Sequence, residues 1–149
     1  MLERLFQKGA IPTLEKGVSF TARRHEVLAN NIANVDTVYY KAQDLPVEEF
    51  QDVLRRSVDA RRADPVGVFR WQGSGDLAEN EFGAVEAPAR RVRVPPTKSG
   101  ILRHDKNNVS VEEEMAKIGK NSMMHMAMLD LLRKQFRMLD SALAERVEG

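Results

Sequence analysis

From Val111 to Leu143, one set of positions recurs at alternating steps of four and three without a slip. It runs Val111, Met115, Ile118, Ser122, His125, Leu129, Leu132, Phe136, Leu139 and Leu143. Side chains three and four apart share one face of an α-helix, and a 3.5-residue period keeps that face turned towards a partner helix. The spacing predicts a single helix over residues 110–146, on the order of 55 Å long at about 1.5 Å per residue. Ser110 and Glu113 have the form of a capping box, and Glu112 to Glu114 place negative charge at the positive end of the helix dipole. Arg133, Lys134, Arg137 and Arg146 lie towards the other end. Such a helix exceeds those of an ordinary small domain. It requires partners along its length.

A second series with the same alternation occupies the other end of the chain. Leu14, Val18, Thr21, His25, Leu28, Ile32 and Val35 predict an amphipathic helix over residues 13–35, with Pro12 suited to its first turn. Leu2, Leu5 and Phe6 suit a short preceding turn of helix, or a continuation kinked at Pro12. Asp36 and Thr37 end the helix. Asn30, Asn31 and Asn34 are unfavourable inside a helix, because their amides compete for backbone hydrogen bonds. Their place at a helix end therefore implies specific partners, either the terminal carbonyls or an adjacent helix or subunit.

The middle of the chain is different material. Within Leu45–Val58, Val47, Phe50, Val53 and Leu54 share one helical face. From Ala63 onwards Pro65, Gly67, Gly73, Gly75, Gly83, Pro88, Pro95, Pro96 and Gly100 forbid long helices. Residues 66–71 and 90–94 alternate in a manner suited to two short strands of a small hairpin. The chain thus divides into an N-terminal helical segment (1–41), a partly irregular central segment (42–109) and a C-terminal helix (110–149). The expected fold is mainly α, with the terminal helices paired as an antiparallel coiled coil. Aromatic residues are 6% and charged residues 30%, and the apolar side chains gather at the two ends, so the centre is expected to build no core. The isolated chain is expected to be largely disordered, or to aggregate, until neighbours cover its apolar helix surface.

Several function classes lose support. A net charge of +1, from 23 basic and 22 acidic residues, provides no electrostatic attraction for nucleic acid or an anionic membrane. The central arginines, interleaved with Asp52, Asp59 and Asp64, read as a solvated surface. Without cysteine there is no disulfide, thiolate metal site or thiol nucleophile. Glu3, Arg4 and Lys8 interrupt the apolar N-terminus, so no secretory signal is expected, and no run approaches a membrane span. His25, His104 and His125 have no metal-ligating neighbour at helical spacing; His25 and His125 fall on the seams and read as packing residues. His104 with Asp105 has neither nucleophile nor oxyanion donors beside it. No catalytic residue, metal, cofactor or small-molecule ligand is expected. Six of the seven methionines, Met115, Met123, Met124, Met126, Met128 and Met138, lie in the long helix and point around most of its circumference. Flexible, polarizable side chains so arranged suit several non-identical neighbours.

The stretch 28–37, followed by Tyr40 and Lys41, resembles the N-terminal signature of the flagellar rod, hook and hook–filament-junction proteins. That signature is an A-N-N-I-A-N core followed by T-x-G-Y-K. Asn30, Asn31, Ile32, Ala33, Asn34, Thr37, Tyr40 and Lys41 carry the match. Tyr39 stands where the signature usually has glycine, and a tyrosine at positive φ would be strained. Residues 44–50 and 107–116 are similar to rod members of the family, and the short chain favours a proximal rod subunit over the longer distal-rod and hook proteins. The resemblance implies a structural subunit made in the cytoplasm and exported unfolded through the flagellar type III apparatus. Such subunits polymerise through their terminal helices into the hollow, torque-transmitting rod that spans the periplasm. Implied partners are further copies, other rod subunits, and the membrane-embedded ring with its rod adaptor. Leu14, Val18, Leu28, Ile32, Val111, Met115, Ile118, Leu129, Leu132, Phe136, Leu139 and Leu143 would form the helix and subunit contacts. Another axial subunit of the same apparatus is one alternative. A cytosolic coiled-coil adaptor or export chaperone is another.

Overall fold

A computed structural model describes residues 9–73 and 107–147. Among them the chain is mainly α: helices α1 (Ile11–Ala33), α2 (Val47–Ala63) and α3 (Val111–Val147), and no strand. The 37 residues of α3 make it the longest element. Pro12 sits in the first turn of α1, where its missing N–H costs nothing. Residues 66–71 form no strand, and the expected partner strand at 90–94 lies outside the described residues, as do Leu2, Leu5 and Phe6.

α1 and α3 lie side by side. Asn31 bonds Glu114, Thr21 bonds His125, and Gly17 abuts Met128. Partner numbers rise on one helix as they fall on the other, so the two run in opposite directions where they touch. Gly17 permits the close approach. A Cβ there would lie 2.6 Å from Met128 Sδ, inside van der Waals contact. Midway, Asn121 Nδ2 donates to the Thr21 carbonyl at 2.8 Å, while the Thr21 hydroxyl meets His125 Nδ1 at 2.8 Å. The contact is therefore partly polar, and its specificity rests on matched hydrogen bonds rather than on grease alone.

The other face of α1 belongs to a core that composition did not foreshadow. Phe20 and Val27 of α1 pack with Leu45, with Phe50 and Val53 of α2, and with Trp71. Val47, Leu54 and Phe69 pack around this cluster. The Phe20 and Phe50 rings stack with centroids 3.9 Å apart, and Trp71 tilts against Phe50 at 5.6 Å. Ser57, fully buried, fastens the chain after α2 by accepting the Gln72 N–H at 3.0 Å. A paired, mostly buried Arg24–Asp44 contact, with both nitrogens 2.7 Å from carboxylate oxygens, ties α1 to the segment before α2. The expectation of a coreless centre is thus corrected for residues 42–73. Few aromatics suffice because three of them meet at one point, each burial contributing about 2 kcal/mol.

Antiparallel register also leaves α3 longer than its partner. With Gly17 opposite Met128, Ile11 falls near Lys134, and α3 runs on to Val147. Leu131, Phe136, Met138 and Leu143 are 39–51% exposed along this second half.

Candidate functional site

The densest polar structure sits where α1 ends, turns and meets the start of α3. Asn31 is wholly buried, and its amide is saturated. Nδ2 donates to the Gln43 carbonyl at 2.6 Å and to Glu114 Oε2 at 2.7 Å. Oδ1 accepts the Gln43 N–H at 2.9 Å and the Tyr40 hydroxyl at 3.1 Å. An asparagine amide offers two donors and two lone pairs, and all four are used. Aspartate could not substitute, since it has no donors and would face Glu114. Glu114 is 2% exposed, and its other oxygen receives Lys117 Nζ at 2.7 Å. Burying a carboxylate is tolerable only with such partners.

Asn107 closes the turn from the other side. Also fully buried, its Nδ2 reaches the carbonyls of Asn34 at 3.0 Å and of Val35 and Thr37 at 2.9 Å. These carbonyls lie in the turn just past α1, whose own last carbonyls are taken by the Asn34 and Val35 N–H groups. A side chain some 70 residues away thus holds the turn in place. Asn107 Oδ1 accepts the Val109 N–H at 2.8 Å, and the neighbouring Asn108 Oδ1 accepts the Ala42 N–H at 2.7 Å. Asn34 Nδ2 caps the Asn30 carbonyl at 2.8 Å, and the Thr37 hydroxyl donates to Asn34 Oδ1 at 3.2 Å. Ser110 starts α3, accepting the Glu113 N–H at 3.4 Å and donating to Glu112 at 3.1 Å.

At the tip of this turn Tyr39 has φ = 63°, the only positive φ of a non-glycine among the described residues. The residue is 68% exposed, beside Val38 at 55%. The left-handed region costs a residue with a Cβ about 1–2 kcal/mol.

Desolvation first, and the Glu114 carboxylate second, push the Tyr40 phenol above its ordinary value of 10.0. The folded chain therefore holds a proton that the unfolded chain loses near pH 10. Stability from this source is complete below that pH and falls as pH rises through the folded value. Urea unfolding at about pH 9 and about pH 11 is expected to show this loss, and Tyr40→Phe to flatten it. An equal alkaline loss in Tyr40→Phe would assign the slope to other groups.

The structure gathers Asn31, Asn34, Thr37 and Tyr40 at the corner, while Asn30, Ala33 and Lys41 face outwards and Ile32 is half-buried. Of the seam positions on α1, Leu28 is buried and Leu14 and Val18 are half-buried. On α3, Val111, Ile118, Leu129, Leu132 and Leu139 are half-buried, and Met115, Phe136 and Leu143 are exposed. His25 is exposed, whereas His125 sits half-buried on Thr21. Among the described residues no cluster of three His, Asp or Glu side chains is placed to hold a metal. No described helix is long and apolar enough to cross a membrane. Asn107 and Glu114 were missed as site residues. Asn107 precedes α3 in a loop, and Glu114 lies off the four-three seam of α3, so neither carries a periodic signal.

Residues 11–41, the α1 helix and its corner, match the profile of the family described as Flagella basal body rod protein. The chain is 30% identical over 139 residues to the flagellar basal body rod protein FlgB of Salmonella typhimurium, covering 92% of this chain and 93% of that protein. It is 28% identical to its counterpart in Yersinia enterocolitica, over 97% and 99% of the two chains. For that of Bacillus subtilis the identity is 24%, over 91% and 93%. The chain belongs to the flagellar basal body rod protein family. Within that family its resemblance to proteins named FlgB extends over most of its length.

Proposed function

We propose that the chain is a structural subunit of the proximal rod of the bacterial flagellar basal body, of the B type rather than the C or F type. It performs no catalysis and takes no cofactor. Its terminal helices pair as an antiparallel coiled coil, and their remaining apolar faces pack on neighbouring subunits to build a hollow shaft that transmits torque. The reading rests chiefly on one observation. The second half of α3 exposes Leu131, Phe136, Met138 and Leu143, an apolar surface that one molecule leaves to water. They fall as two pairs seven residues apart, Leu131 with Met138 and Phe136 with Leu143, and exposed apolar stripes of this kind mark interaction surfaces. Similarity to rod proteins along nearly the whole chain agrees with it.

The seam residues of α1 and α3, from Leu14 to Ile32 and from Val111 to Leu143, would supply these contacts. The signature residues Asn30 to Asn34, Thr37, Tyr40 and Lys41 would hold the corner that sets the helix angle. Partners would be further copies, other rod subunits, the membrane-embedded ring and its adaptor, and the type III export apparatus during secretion. An adaptor or export chaperone would instead stay soluble and helical alone. Cryo-electron microscopy of isolated basal bodies tests the proposal: density for this chain is expected in the proximal rod wall. Basal bodies complete without it would refute the assignment.

A further inference from the structure

The corner and the far half of α3 are complementary in character. The corner presents the exposed ring of Tyr39 and the side chain of Val38, with Asp36, Glu112 and Glu113 exposed at the same end and Lys41 as the single base of the turn. Past residue 130, α3 presents exposed Leu131 and Met138 among Arg133, Lys134 and Arg137, with Asp140 as the one acid as far as Ala144. Arg133 is shared with Asp130 at 3.0 Å. One end is apolar within an acidic rim, the other apolar among bases, and the length of α3 separates them.

The strained backbone at Tyr39 adds an independent reason to look for a contact. Glycine would adopt this φ freely. A tyrosine is held there instead, with two-thirds of its surface exposed. Strained residues persist where surrounding structure over-determines them, and they gather at functional sites. Here the surroundings are the Asn107 side chain and the carbonyls it holds, Thr37 among them, two residues before Tyr39. The turn is fixed by Asn107, and Tyr39 is exposed upon it.

The geometry points to Tyr39 as an assembly anchor that docks on the second half of α3 of another copy of this chain. There its ring would lie over methionine sulfur and guanidinium groups, both of which favour aromatic faces, while the acidic rim meets Lys134 and Arg137. The two surfaces differ and sit at opposite ends. Such a contact is heterologous, and repeated without closure it builds a helical filament. The inference rests on the rod-subunit reading and names one of its contacts.

Self-association of the full-length chain at low salt, followed by sedimentation velocity, with melting followed by circular dichroism, tests it. Tyr39→Gly is expected to melt about 2–6 °C higher, because strain is relieved, yet to associate at least about 10-fold more weakly, as loss of a central aromatic anchor does. Tyr39→Ala keeps the strain and should lose association without the gain in melting temperature. Tyr39→Phe should associate as the parent does. Reversing Lys134 and Arg137 to glutamate should weaken association, and reversing Glu112 and Glu113 to lysine in the same chain should restore it. A monomeric parent chain, undiminished association of Tyr39→Gly and Tyr39→Ala, or no rescue by the paired reversals would each overturn the anchor. If the chain is found in the rod while cells carrying Tyr39→Gly swim normally, the anchor fails and the rod assignment stands. Absence of the chain from the rod would remove the assignment itself.

Discussion

Asn107→Ala is expected to lower the stability of the folded chain by about 3 kcal/mol. The substitution deletes the donor shared by the carbonyls of Asn34, Val35 and Thr37, and the acceptor of the Val109 N–H. Each buried backbone group left without a partner costs about 1–3 kcal/mol. Of the four groups affected, the Asn34 and Thr37 carbonyls keep the backbone N–H bonds of Thr37 and Tyr40, so the Val35 carbonyl and the Val109 N–H carry most of the loss. Against the 5–15 kcal/mol typical of a whole domain, about 3 kcal/mol is a large share. Urea unfolding followed by the fluorescence of Trp71 and by helical ellipticity would measure it. Asn107→Asp should do no better than alanine. It keeps an acceptor for Val109 but turns a carboxylate towards three carbonyls. A loss below about 1 kcal/mol in both variants would mean that water holds the turn after α1 as well as Asn107 does.

Phe136→Asp is expected to abolish swimming while leaving the fold of the single molecule intact. The side chain is 39% exposed in the second half of α3, beyond the part opposite α1. With two-fifths of its surface exposed, Phe136 contributes less to the single molecule than a buried side chain, and the change is expected to cost the isolated fold about 1 kcal/mol. If a neighbouring subunit covers this position, the same change buries an unpaired carboxylate, costing several kcal/mol at every repeated contact. Leu132→Asp should also block assembly. Leu132 is half-buried within the molecule, however, so that variant would confound folding with assembly. Motility in soft agar, basal-body yield and circular dichroism of the purified variant separate the two effects. Wild-type swimming by Phe136→Asp would remove this position from the subunit contact. Loss of helicity in the purified variant would instead make the defect one of folding.

The two variants probe opposite kinds of knowledge. α1 and α3 were visible in the sequence because helical amphipathicity is local, a matter of side chains three and four apart. The cap at Ser110 and the apolar face of α2 were visible for the same reason. The end of α1, expected at Asp36, falls two residues earlier than the 13–35 helix read from the sequence. Tyr39 was marked by its departure from a glycine position, and its φ of 63° shows the strain that the departure implies. The core of Phe20, Phe50 and Trp71 was not visible. Phe20 lies off the four-three seam of α1, and Trp71 lies in a segment whose glycines and prolines speak only of turns. Asn107 looked like one polar residue of a loop. Nothing within ten residues of it distinguishes a solvated amide from one that holds a turn some 70 positions away.

By itself the sequence determined the helices, the lengths of α1 and α3 and the excess of apolar surface on α3, because those properties follow from neighbours along the chain. Helix α2, read over residues 45–58, runs instead from Val47 to Ala63. Tertiary structure alone decided which face of α1 meets α3 and which meets α2, and it alone matched Asn31 to Glu114 and Asn107 to the end of α1. Those choices depend on shape and hydrogen-bond geometry between segments remote in sequence. Local pattern is blind to both.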